Sequence, residues 1–360
     1  MGTVPLRMRF RTFTRALLAL CTAGFLATGA ACSSGGASSA SGSTPVDHLT
    51  VSTSAADFTF ASLYLAQSEG LFAKHGLQVT ILTGPAASAI PYLVAGKADL
   101  TLYSILPGLL AADQGADITY IYQNIDVFGV ALIGSKDITT IAQAQHLNSC
   151  RLATTPAGSL TYNFAHLYSQ ELHLKCTLVQ LANNALIASG VEAGSYQLGV
   201  NSLAPAVAAQ AAGAHILIDP RSATYQQYYA PPPYMVEAYY GIGTRLEKMK
   251  GAVVKFLQAI QDAENLFRTQ TPAQLTAEIR TNSAFAGQST SSLVTGFTQL
   301  QSQMQGGCNG QPHGDIDQAC WAATLSGVAT WGVPTFNPSS AANTYASRVD
   351  MSYYDAARPH

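Results

Sequence analysis

The sequence predicts an α/β fold: two similar lobes joined by two crossover segments. Three observations point there. Residues 96–118, GKADLTLYSILPGLLAADQGADI, align without a gap on residues 194–216, GSYQLGVNSLAPAVAAQAAGAHI, so that Gly96/Gly194, Leu100/Leu198, Ser104/Ser202, Pro107/Pro205 and Gly115/Gly213 coincide. Upstream, Phe60-Ala61-Ser62-Leu63-Tyr64 mirrors Phe164-Ala165-His166-Leu167-Tyr168 in the same order. Within each half, strand-like and helix-like segments alternate, the pattern of a parallel sheet with helices on both faces. The chain of 360 residues is also 48% hydrophobic and only 11% charged, enough apolar material for large cores and roughly two domains.

The elements follow in order. Arg7, Arg9, Arg11 and Arg15 precede an apolar stretch, Ala16 to Leu26, that is too short to span a bilayer; Gly29-Ala30-Ala31 and Cys32 come next. Residues 1–31 read as a signal peptide. Cys32 reads as the acylated cysteine of a lipobox, although Gly29 departs from the usual Leu and ordinary secretion is the alternative. Residues 32–47 form a Ser/Gly/Ala tether. The first half then offers strands at Leu49–Ser52, Leu77–Leu82 and Leu100–Tyr103, with helices near 60–69 and up to Gly96. The second repeats this at Arg151–Thr154, Thr177–Leu181 and Leu198–Asn201, with helices near 161–173 and up to Gly194. Pro107 and Pro205 fit the first turn of the helix that follows each third strand. Lobe one is expected to span 48–126 plus 237–360, and lobe two 127–236. The crossovers lie near Asn124–Gly129 and Tyr234–Ala238, the second stiffened by Pro231-Pro232-Pro233. Residues 244–360 are mostly helical in pattern and are expected to pack back on lobe one.

Charge and cysteine usage narrow the function. With 18 Lys+Arg against 20 Asp+Glu, and a more acidic chain once the leader's four arginines leave, a charge-driven nucleic-acid binder is excluded. Beyond Cys21 and Cys32 four cysteines remain, an even count that reads as two disulfides in an exported chain. Of three connectivities the near-neighbour set, Cys150–Cys176 and Cys308–Cys320, is preferred, because Cys150 and Cys176 precede neighbouring strands at one sheet edge. Zinc is the rival, but no paired Cys/His spacing supports a metal site. No GxSxG elbow, phosphate-binding loop or dinucleotide fingerprint is present, so neither enzyme activity nor a cofactor is expected.

Tyr64-Leu65-Ala66, Glu69-Gly70-Leu71-Phe72, His75-Gly76-Leu77-Gln78-Val79 and Leu93–Asp99, with Ser104 to Pro107 after them, resemble the nitrate/sulfonate/thiamine-precursor (NMT1-like) group of solute-binding proteins. The resemblance covers about 48–350. It implies a type II periplasmic-binding-protein fold, capture of a small solute, delivery to an ABC permease, and a monomer held at the extracytoplasmic face of the cell membrane. Two departures stand out: Gln197 replaces an Asp of the family pattern, and 300–325, with Cys308 and Cys320, matches nothing in it.

Ligands of open α/β sheets bind beyond the carboxyl ends of the strands. That selects Asp57, Phe58, Thr59, Gly84, Tyr103 and Ser104 from lobe one, and Ser159, Thr161, Tyr162, Asn183, Asn201 and Ser202 from lobe two. Each has a plainer reading: Asp57, Ser159 and Thr161 as helix N-caps, Asn183 and Asn201 as turn residues. Tyr64 and Tyr168 read as core. Phe58, Tyr103 and Tyr162 are candidates for stacking on a flat ligand. Aromatics, amides and Asp57, with no Arg or Lys, favour a heterocycle carrying an amino group, such as a thiamine-precursor pyrimidine. An organic sulfonate or nitrate-like anion held by helix N-termini is the alternative, as is a lipid-anchored sensor that does not transport.

Overall fold

The computed structural model describes residues 46–358, apart from 55–56, 126–129, 221, 223–233, 304–306, 309–310 and 334. Cys32, the leader, nearly all of the tether and the triple proline lie outside the described residues, as does most of the first crossover. Two five-stranded sheets form the frame. One holds β1 (Asp47–Thr53), β2 (Leu77–Thr83), β3 (Leu100–Ser104) and β4 (Ile118–Ile125). The other holds β5 (Val130–Gly134), β6 (Cys150–Thr154), β7 (Cys176–Gln180), β8 (Leu198–Ser202) and β9 (His215–Ile218). A tenth strand, β10 (Glu237–Ile242), returns to the first sheet. The orders are β2-β1-β3-β10-β4 and β7-β6-β8-β5-β9, so the repeat read in the sequence is a repeat of topology.

The sheets are not purely parallel, which corrects the expectation from strand–helix alternation. In each, the fourth strand runs antiparallel to both neighbours: β10 between β3 and β4, and β5 between β8 and β9. These are the two strands that arrive from the opposite lobe. A strand entering directly from outside has no crossover helix to turn it parallel. The two crossovers run side by side, with the Val236 amide donating to the Ile125 carbonyl at 2.9 Å.

The repeat extends to single hydrogen bonds. Asp99 Oδ2 accepts from the Thr50 amide at 2.9 Å, and Gln197 Oε1 accepts from the equivalent Arg151 amide at 3.0 Å. Gln197 therefore does the work of the acid it replaces: it ties the start of the third strand to the first. Gly96 and Gly194, at φ +68° and +72°, end the preceding helices in the left-handed conformation that glycine tolerates best.

Both disulfides form as the spacing predicted. Cys150 and Cys176 are register partners on parallel β6 and β7, with Cα atoms 4.3 Å apart. Cys308 and Cys320 close a loop in the tail with Cα atoms 5.4 Å apart. Helix Lys250–Thr269 buries Phe256, Leu257, Ile260, Ala263 and Phe267 against the first sheet's helices, as its pattern implied.

The rest of the tail also reaches beyond lobe one. Helix Thr290–Gln303 lies along helix Leu203–Ala211 of the second lobe. Residues 307–308 and 311–333 strap the hinge. Cys308 N donates to Gln123 Oε1, Met235 N donates to Thr324 Oγ1, and Trp331 Nε1 donates to Tyr234 Oη. Beyond the hinge the Trp331 ring meets Phe164, with centroids 6.0 Å apart. The apolar surface of the crossovers, with Tyr234, Met235 and Val236 buried, needs a cover, and the tail supplies it.

Replacing both Cys308 and Cys320 by Ser should lower unfolding stability by about 3 kcal/mol through the freed loop. Urea titration of the double variant checks this; unchanged stability would mean that the strap holds without its bond.

Candidate ligand-binding cleft

The carboxyl ends of β1, β2 and β3 face those of β6, β7 and β8 across a cleft of about 1000 Å³. Asp57, Phe58, Thr59, Gly84, Tyr103 and Ser104 line it from one side, and Ser159, Thr161, Asn183 and Ser202 from the other. Tyr162 and Asn201, also selected from the sequence, are not among its lining residues. Tyr162 sits in the first turn of helix Leu160–Glu171, its ring edge-on to His166 at 4.7 Å. Asn201 is fully buried, with Nδ2 donating to the Asn184 carbonyl at 2.9 Å. Its repeat partner Tyr103 makes the equivalent bond, Oη to the Gly84 carbonyl at 2.8 Å. Both staple the loop that follows the second strand of their sheet. Tyrosine is long enough to expose a ring to the cleft while doing so, and asparagine is not.

The capping reading and the cleft reading hold together for three residues. Asp57 Oδ1 accepts from Thr59 N, Ser159 Oγ from Tyr162 N and Asn183 Oδ1 from Leu186 N, each opening a helix at the cleft wall. Thr161 is not a cap; it lies inside its helix, where Oγ1 accepts from Thr155 N and bonds the Thr155 hydroxyl. Phe58 packs edge-on to Phe285 and Phe297, and Gly296 lies flat against its ring, where a Cβ would come within 2.2 Å. Phe58 is thus a fixed wall, and the tail contributes Gly296 and Gln299 to the same lining. Tyr64 and Tyr168 are core, as expected.

Among the described residues no Arg, Lys or His lines the cleft, while Asp57, Glu192 and Glu237 do. Glu237, absent from the sequence selection, opens β10 opposite Ser104. Its Oε2 and the Ser104 Oγ are both buried without a hydrogen-bond partner. Burial, and then the nearby Asp57 charge, push the Glu237 carboxyl up to about 8. Its signal in the sequence was a lone acid in the apolar run YMVEAYYG, where a strand residue facing inward has to find a purpose for its charge. Asp57 also crosses the cleft: its Oδ2 accepts from Asn184 Nδ2 at 2.7 Å and from Ser202 Oγ at 3.0 Å.

The family model described as NMT1/THI5 like matches residues 57–270. No curated protein matches the chain by sequence. Solved structures match throughout the fold at low identity. A protein from Bordetella bronchiseptica RB50 superposes with TM-score 0.72 at 15% identity, covering 86% of this chain and 96% of that one. The periplasmic nitrate-binding protein NrtA from Synechocystis PCC 6803 gives 0.64 at 13%, covering 87% and 88%. The periplasmic aliphatic sulphonate binding protein SsuA from Escherichia coli gives 0.58 at 15%, covering 79% and 87%.

The Glu237 carboxyl has a stability signature. Folded, it holds its proton to about pH 8; its ordinary value is 4.5. Its contribution is therefore complete below pH 4.5 and is lost as pH rises towards about 8, with a slope of at most about 1.4 kcal/mol per pH unit. Glu237→Gln should flatten this part of the stability–pH curve of the ligand-free protein. Thermal melts across that range check it, and identical slopes would remove the proton from Glu237.

Proposed function

Because the chain belongs to the NMT1/THI5-like family, we propose that it is the extracytoplasmic solute-binding component of an ABC importer. It captures a small organic solute between its lobes and presents it to the permease. The solute is a flat heterocycle bearing an amino group, of the thiamine-precursor pyrimidine kind. The observation that carries this reading is the chemistry of the cleft: two buried oxygens, Glu237 Oε2 and Ser104 Oγ, lack a partner in a lining that has carboxylates and, among the described residues, no cation. A buried polar atom left open is costly, and a ligand amino group would satisfy both. Tyr103 and Pro85 supply flat apolar surface beside them. A heterocycle entering with its amino group protonated would ionise Glu237 and form a charge-assisted bond; entering neutral, it would pair with the carboxylic acid.

The leader and Cys32 fit the same role. A lipid on Cys32, followed by the tether, would keep the binding body beside its permease. Membrane fractionation of Cys32→Ser is expected to move the protein into the soluble fraction; continued membrane association would refute the anchor.

The ligand is testable directly. Mass spectrometry of the solute that copurifies with the folded protein should find an amino-bearing heterocycle; an organic sulfonate or nitrate in its place would overturn the reading. Glu237→Gln and Ser104→Ala should each weaken binding of that solute by about 1–3 kcal/mol, measured by calorimetry. Normal affinity in both would place the ligand elsewhere.

A further inference from the structure

Asp57 stands where a bound anion would be held. Its Oδ2 takes the Asn184 amide at 2.7 Å and the Ser202 hydroxyl at 3.0 Å, both from the opposite lobe. Asn184 is the first residue of helix Asn184–Glu192, and Ser202 is the N-cap of helix Leu203–Ala211. Ser202 makes no side-chain capping bond to its own helix; its hydroxyl is given to Asp57. Two nine-residue helices of lobe two thus direct their positive ends and two neutral donors at one carboxylate of lobe one. A small oxyanion would seek the same donors. It would meet Asp57 already in place, with Glu237 close by and no cation among the described lining residues. The unpartnered Glu237 Oε2 and Ser104 Oγ, both buried, line the same cleft, so a polar ligand is wanted there on independent grounds.

We propose that Asp57 is the specificity-determining residue for ligand charge: a tethered anion that fills the anion position of the cleft and thereby excludes sulfonate- and nitrate-like solutes. The inference rests on the reading of the cleft as a solute site. It goes beyond that reading by naming the residue that divides this chain's ligands from oxyanions. If Asp57 were an N-cap alone, removing its charge would change stability and leave the choice of ligand unaltered.

The test is calorimetry of the mature protein and of Asp57→Asn and Asp57→Ser with methanesulfonate, nitrate and an aminopyrimidine as probes. Serine keeps an N-cap acceptor, so at least one neutral variant retains the local fold, and a thermal melt verifies it. The expected result is negligible anion binding by the wild type and a gain of about tenfold or more for methanesulfonate in both variants, as removal of a like charge requires. Wild-type binding of either anion as tight as the variants' overturns the proposal, as does a folded variant that gains none. The two ideas fail separately. If the variants gain anion affinity while the wild type ignores the aminopyrimidine, Asp57's role stands and the heterocycle reading falls. If the wild type binds the aminopyrimidine and neither folded variant gains anion affinity, the reverse holds.

Discussion

Each sheet of this protein is completed by a strand that arrives from the other lobe, and the rest of the architecture depends on that exchange. β10 enters between β3 and β4, and β5 enters beside β8. With the two connecting segments bonded side by side through Val236 and Ile125, neither lobe can turn away freely from the other. The carboxyl ends of both strand sets therefore face a common space. The alternating strand–helix pattern alone produces two sheets; the exchanged strands make them a cleft.

What the cleft can hold follows from an electrostatic contest. The helices that open at Ser159, Asn183 and Ser202 bring positive ends to the site, the usual invitation to an anion. Asp57 and Glu192 oppose it. Glu237 remains buried by holding its proton to about pH 8, which removes most of the penalty of a carboxylate in an apolar strand. Asp57 instead finds two donors across the cleft. The fold is shared with nitrate- and sulphonate-binding proteins, but fold alone does not set the sign of the charge; these side chains do.

Much of the frame was legible because it is periodic. The repeat placed Leu100–Ser104 and Leu198–Ser202 in equivalent strands, and the pairing of Cys150 with Cys176 followed from the same alignment. N-cap chemistry, which acts within a few residues, was legible at Asp57 and Ser159, whereas Asn183 read as a turn residue and Thr161 as a cap that the structure places inside its helix. What escaped acts over long separations. Asn201 occupies the repeat position of Tyr103, yet side-chain length decides which of the two reaches the cleft. Glu237 gains its significance from burial and from Asp57, which lies 180 positions away in the chain. The antiparallel fourth strands were hidden because direction in a sheet depends on where the chain comes from, and local pattern carries no record of that.

The tail joins the cleft to the hinge. Residues 271–360 lie beyond the family-matched stretch. Yet Gly296 and Gln299 line the cleft, while Thr324 and Trp331 hold the hinge strand at Met235 and Tyr234. Tyr234 and Phe164 both meet the Trp331 ring, with centroids 6.4 and 6.0 Å away. Separating this buried ring from its neighbours would expose apolar surface to water. Trp331 of the tail is therefore held against the hinge segment at Tyr234 and against Phe164 of lobe two at once. Helix Thr290–Gln303 makes a similar join at the cleft: Gly296 rests on Phe58 of lobe one while the helix lies along Leu203–Ala211 of lobe two.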